Sequence, residues 1–235
     1  MTTIDTSRRS EFRAALIDIS PALVAAIPIG LIYGTLALGK GMAPAEVVLM
    51  SALVFAGGAQ FAAVEIWGYP VPVLALVFST ALINARHILM GASLGPRLAR
   101  LTPLQRLIGC YVMADENWAL AERRARSHAL TPAYFLGMGA VFWANWVLWS
   151  LVGTLAGPLL GDPRRLGADF AFTAIFIALI VPFCRGPRSG LVIAASAVTA
   201  AVVHSLIGSP WHVMSGAFAG ILVAALLHHD REERA

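Results

Sequence analysis

Three short stretches carry side chains that could do chemistry inside an otherwise apolar chain. The first is Asn84-Ala85-Arg86-His87. Its guanidinium can grip a carboxylate through paired hydrogen bonds. Its amide and imidazole can hydrogen-bond a ligand or handle a proton. Asn84 and His87 are three residues apart, so on a helix they share a face with Gly91 while Arg86 points elsewhere. The structural alternative pairs Arg86 with an acid on another helix, or lodges it near an interface.

The second stretch is Asp115-Glu116-Asn117-Trp118. A carboxylate at membrane depth can hold a substrate ammonium, pair with Arg86, or titrate in proton coupling. The alternative is a solvated helix end, with Glu122 and Arg126 forming a surface pair one turn apart. The third is Phe55-Ala56-Gly57-Gly58-Ala59-Gln60-Phe61. Gly57 and Gly58 allow a helix to break, and the amides at the start of the second half can bind an anionic group. Gln60 adds a side-chain amide. The alternative is close helix packing at small residues. Asp169 and Asn145 are further polar candidates; Asp169 also fits a simple charge at a helix start.

The elements that must position these groups are membrane helices. Of 235 residues, 58% are hydrophobic and 13% charged, about half the charge of a soluble domain. Charge-free runs such as Ile19–Gly39 and Ile66–Ala85 match the roughly 20 residues needed to cross about 30 Å of hydrocarbon. The expected fold is an all-α integral membrane protein, one transmembrane domain over residues 1–235, with about seven or eight spanning helices. The predicted segments are about 14–39, 44–67, 70–95, 103–122, 132–157, 169–184, 189–207 and 210–229, numbered 1 to 8. Segment 2 contains the glycine pair and can be broken there. Segment 4 is weak and amphipathic; it either spans with its acids facing the bundle or lies re-entrant or at the interface. Pro21 and Pro28 suggest a kinked segment 1 that Gly30 and Gly34 leave slender. Eight spans with cytoplasmic termini place ten Lys/Arg inside and six outside, with Arg97, Arg100 and Arg106 among the six.

Several function classes are disfavoured. The net charge of +4 comes from arginines that flank apolar runs, so no nucleic-acid partner is expected. Cys110 and Cys184 are far apart and read as reduced, packed residues. No cofactor or metal is expected: there is no Cys/His ligand spacing, and His204 and His212 read as packing residues. The Gly186-Pro187-Arg188-Ser189-Gly190 stretch is not a nucleophile elbow, so the chain is not expected to be an enzyme.

Taken together, these stretches resemble the AzlC-type family, the large subunit of bacterial branched-chain amino acid exporters. The matching residues are Pro28-Ile29-Gly30 with Tyr33-Gly34, Phe55 to Phe61, Asn84 to Leu89 with Gly91-Ala92-Ser93-Leu94, and Asp115-Glu116 with Trp118-Ala119-Leu120. Gly167 to Ala171 and Phe176 to Leu179 complete a set that spans about residues 20–185. Asn117-Trp118 departs from the small or aromatic residues expected after the acid pair. The resemblance implies export of valine, leucine, isoleucine and methionine across the bacterial inner membrane, coupled to protons. It also implies a separately encoded AzlD-type partner of about four helices. On this reading Gly57, Gly58, Gln60, Asn84, Arg86 and Asp115 are substrate-binding candidates. Aromatic groups near Phe61 and Trp118 receive the side chain, and His87, Asp115, Glu116 and Asp169 are the proton-coupling candidates. The rival readings are a non-transporting assembly or sensor subunit, and a membrane enzyme.

Overall fold

The computed structural model describes residues 8–160, 177, 181, 184, 186–207 and 211–232. Segment 6 and Asp169 fall almost wholly outside them. The long apolar runs form helices because a backbone in hydrocarbon must satisfy its own polar groups. α1 (Arg8–Gly39) continues through Pro21 and Pro28. Pro21 lacks the N–H that would reach back to Ile17, and the Ser20 hydroxyl donates to that carbonyl instead, at 2.9 Å.

α8 (Pro132–Leu160) lies along α1 and runs in the same direction. Glu11 meets Thr131 near one end, Leu23 meets Asn145 midway, and Leu38 meets Gly157 near the other. Glycine makes the approach possible. A Cβ at Gly34 would stand 2.6 Å from the Thr154 nitrogen, and one at Gly153 would stand 2.8 Å from the Leu31 carbonyl carbon. The GxxxG pairs on both helices therefore form the seam of the molecule.

Between these two rods the chain makes two hairpins. α2 (Pro44–Val54) and α3 (Gly57–Ile66) follow α1. They have 11 and 10 residues, about 15 Å each, or half the hydrocarbon thickness. Their outer ends are together. Lys40, just before α2, donates to the Glu65 carbonyl at 3.1 Å, and the Tyr69 hydroxyl donates to the Gly41 carbonyl at 3.0 Å. Segment 2 therefore enters and leaves by the same face, where sequence reading expected a broken but spanning helix.

α4 (Val73–Asn84) and α5 (Arg86–Leu94) continue through a tight turn at Ala85 and cross to the opposite face, ending in a 3₁₀ turn at Gly95–Leu98. α6 (Pro103–Tyr111) and α7 (Asp115–Arg124) make the second hairpin from that face. Thr102 caps α6, accepting from the Gln105 N–H at 3.3 Å. Arg97, before α6, pairs with Glu122 near the end of α7. Arg124 grips Glu11 of α1 through contacts of 2.9 and 3.0 Å. Segment 4 is thus re-entrant, and Glu122 pairs with Arg97 rather than Arg126.

This path changes the charge distribution. Arg97, Arg100 and Arg106 now share a face with Arg8, Arg9, Arg13, Arg123, Arg124 and Arg126. Within residues 8–160 that makes nine basic residues, against Lys40 alone on the other face, with Arg86 between. The weak bias of an eight-span reading becomes a strong one, and the positive-inside rule assigns the nine to the cytoplasmic side.

α9 (Pro187–Leu206) and α10 (Trp211–Glu232) pack as a pair, with Ser196 and Ala200 of α9 against Gly216 of α10. His204 and His212 contact each other edge to face, with ring centres 4.8 Å apart. Among the described residues, four helical spans are long and apolar enough to cross a membrane: α1, α4–α5, α8 and α9. Cys110 and Cys184 form no disulfide with each other, and both are exposed rather than packed.

Candidate functional site

The tips of the two hairpins meet at one cavity of about 130 Å³. The first tip reverses at Phe55, which takes a left-handed conformation (φ 42°, ψ 49°), followed by extended Ala56. A non-glycine residue rarely sits there. Phe55 is held by burial and by edge-on contact with Phe142, ring centres 6.0 Å apart. The break thus falls just before the glycine pair, and Gly57 and Gly58 form the first turn of α3. Breaking a helix orphans carbonyls at the end of its first half. Here the Ala52 carbonyl accepts the Trp143 indole N–H at 2.9 Å and also the Tyr111 hydroxyl.

The second tip is stapled by Asn117, which is fully buried. Its oxygen accepts from the Ala114 N–H at 2.7 Å, and its amide donates to the Val112 carbonyl at 2.7 Å. The next carbonyl, Met113, lies 3.2 Å from His87 Nε2, while His87 Nδ1 lies 3.2 Å from the Asn84 carbonyl. A neutral ring can donate to one of these carbonyls at a time. His87 thus joins the tight turn of α4–α5 to the second tip.

Charge enters the cavity from two elements. Arg86 of α5 pairs with Asp115 of α7 at 2.8 Å, and Glu116 lies beside them in the wall. Gly57 and Gly58 bring the start of α3, whose first intrahelical bond is Gln60 N–H to the Ala56 carbonyl at 2.9 Å. The earlier amides of that turn point outward along the positive end of the helix dipole. The remaining walls are apolar: Ala22, Ala26 and Ile29 from α1, and Phe142 and Trp146 from α8. The cavity therefore has a dipolar part and a greasy part. The model for the AzlC protein family matches residues 21–160, which include both hairpins and every wall of this cavity. The chain belongs to the AzlC family.

Relatives agree with a membrane protein in this family. A membrane protein of Archaeoglobus fulgidus is 28% identical over 94% of this chain and 93% of its own length. Inner membrane protein YgaZ of Escherichia coli is 25% identical over 89% and 87%. The branched-chain amino acid transport protein AzlC of Bacillus subtilis is 28% identical over 72% and 66%. No solved structure matches. The chain is a multi-pass protein of the cell membrane with a transport-related role.

The AzlC fold brings Gly57, Gly58, Arg86, His87, Asp115 and Glu116 to one cavity. Two other candidates lie behind it. Gln60 is fully buried; it donates to the Ser51 hydroxyl at 3.1 Å and accepts the Trp146 indole N–H at 2.9 Å. Asn84 offers its carbonyl to His87, and its side-chain oxygen is buried without a hydrogen-bond partner among the described residues. Of the two aromatic markers, Phe61 lines the cavity, whereas Trp118 donates to Ser93 at 2.9 Å. Sequence reading missed Trp146, Phe142 and the α1 alanines. Of Trp143, Trp146 and Trp149, only Trp146 lines the cavity, and spacing on α8 is the one sequence signal that could have separated it.

Proposed function

We propose that this protein is the large subunit of a secondary exporter for zwitterionic, apolar amino acids, chiefly valine, leucine, isoleucine and methionine. The observation that carries this reading is the Arg86–Asp115 pair, 2.8 Å apart in the wall of a mainly apolar cavity. A zwitterion can insert between the two. Its carboxylate takes Arg86, helped by the Gly57 and Gly58 amides, and its ammonium takes Asp115. Each half-buried charge exchanges one partner for another, so neither is left unpaired at membrane depth. A ligand of one sign would strand either Arg86 or Asp115. Gln60 and Asn84 act from behind the cavity, by fixing Trp146 and the His87 turn.

Coupling to protons fits Glu116, which shares the wall without forming the pair, and His87, which links the second tip to α4–α5. Asp169 stays a coupling candidate from sequence. The name of the Bacillus subtilis relative favours branched-chain substrates. The family resemblance favours a small AzlD-type membrane subunit as partner. The test is to load cells with leucine-, valine- or methionine-containing dipeptides and follow amino acid efflux with this chain, the small partner, both or neither. Efflux that requires this chain supports the proposal. Full efflux by the partner alone makes this chain an assembly subunit. In the same assay, Glu116→Gln should abolish the dependence of efflux on external pH while exchange of labelled leucine survives. An unchanged pH profile would move the coupling role to another group.

A further inference from the structure

Four residues of α1 face the cavity at helical spacing: Ala22, Ala25, Ala26 and Ile29. Three are alanine, on a helix whose neighbouring positions carry leucine, valine and isoleucine. No charged or hydrogen-bonding side chain interrupts this stripe. The wall supplied by α8 is built differently. Trp146 is fixed through its indole N–H to Gln60 at 2.9 Å, and it stacks on Tyr33 at a centroid distance of 6.0 Å. Its ring also fills the space at Gly57, where a Cβ would stand 3.2 Å from the indole. The aromatic wall has no room to retreat on that side, so the space left for a ligand is what the alanines leave open.

We infer that the α1 stripe is the side-chain subsite, and that Ala22 and Ala26 set the largest side chain the protein accepts, a short aliphatic group. The inference rests on the zwitterion reading of Arg86 and Asp115 and adds the residues that bound the side chain. The cavity volume agrees with that class. A cavity of about 150 Å³ admits a six-carbon ring, and this one measures about 130 Å³. A space of this order suits a side chain of about four heavy atoms better than an indole. Ala26 is the tighter position, 5% exposed. Ala22 is half-buried and tolerates a larger group without forcing the α1–α8 seam, which is closest at Gly30, Gly34 and Gly153.

The experiment measures efflux of leucine, alanine and phenylalanine from dipeptide-loaded cells that express this protein with its small partner. Ala22→Leu and Ile29→Ala are compared with the unaltered protein at matched membrane abundance. Ala22→Leu narrows the subsite and should lower the leucine-to-alanine efflux ratio about tenfold, the scale of discrimination that an apolar pocket achieves per methylene or two. Ile29→Ala enlarges it and should raise the phenylalanine-to-leucine ratio by a similar factor. If the unaltered protein exports leucine but neither ratio moves by more than twofold, the subsite assignment is overturned and the zwitterion site stands. If the unaltered protein moves none of the three, the zwitterion reading falls and takes the subsite with it.

Discussion

The α2–α3 and α6–α7 hairpins reach one cavity from opposite faces, and their tips carry different chemistry. Around its tip the first is fixed by neutral groups, and the Lys40–Glu65 ion pair lies at its outer end. Its orphaned Ala52 carbonyl is capped by Trp143 and Tyr111, and Gln60 bonds Ser51 and Trp146 behind the tip. The second adds ion pairs along its length to the neutral Asn117 staple at its tip. Asp115 pairs with Arg86, Glu122 with Arg97, and Arg124 with Glu11. Neutral bonds in a dry interior give a substrate charge or a proton nothing to alter. Ion pairs give it several handles. The comparison assigns the first hairpin to shaping the cavity and the second to recognising charge and responding to it.

The largest break in that comparison is Arg86→Ala. It removes the cationic half of the cavity and leaves Asp115 without its partner, an unpaired charge at membrane depth. Leucine efflux should fall below a tenth of normal at equal membrane abundance. Normal efflux would remove Arg86 from the site and return its pair with Asp115 to a structural role.

The next largest effect tests the first hairpin. Gly57→Leu must displace Trp146, because even a Cβ there would stand 3.2 Å from the indole. Gly58 is different: the nearest atom to its Cβ position is Ile83 Cγ2 at 3.9 Å. Gly57→Leu should therefore lower efflux about tenfold, and Gly58→Ala should stay within about threefold. Equal damage at both positions would mean that the tip needs two glycines for its backbone and not one for its shape. Gly216→Leu, on the α9–α10 contact away from the cavity, should act on membrane abundance more than on efflux per molecule.

Class and chemistry were legible in the sequence for one physical reason. Charged groups inside apolar runs are costly and therefore conspicuous, so Arg86, Asp115 and Glu116 stand out without any fold. The return of each hairpin was not legible. Two half-length helices that reverse have the same residue count and hydropathy as one broken helix that crosses. What separates them is a long-range contact, Lys40 with Glu65 or Arg97 with Glu122. The break itself was visible to within two residues, because Gly57 and Gly58 advertise it, yet the strained residue is Phe55. Asn117 looked like a departure from the family pattern, and it is the staple of the second tip.

The last prediction concerns the far end of the second hairpin, where the expected effect on transport is smallest. Glu11 is 7% exposed and accepts from Arg124 at 2.9 and 3.0 Å and from the Thr131 hydroxyl at 3.0 Å. Arg124 also lies over the Tyr134 ring, 4.1 Å from its centre, and Tyr134 donates to Asp18 at 2.6 Å. This cluster ties the end of α7 to α1 and α8, and it touches no wall of the cavity. Glu11→Ala leaves Arg124 half-buried without its carboxylate, at a cost of about 3 kcal/mol. For a chain of this size the loss corresponds to roughly 6–12 °C in the unfolding midpoint. Glu11→Gln keeps an acceptor oxygen and should lose less. Thermal unfolding of the purified protein in detergent reads the first effect, and efflux per molecule should change by no more than about threefold. The comparison sharpens if a cysteine placed on α7 becomes more reactive in Glu11→Ala while one on α3 does not. Equal loosening of both hairpins would mean that the ion cluster supports the whole bundle, and that the two tips do not move independently.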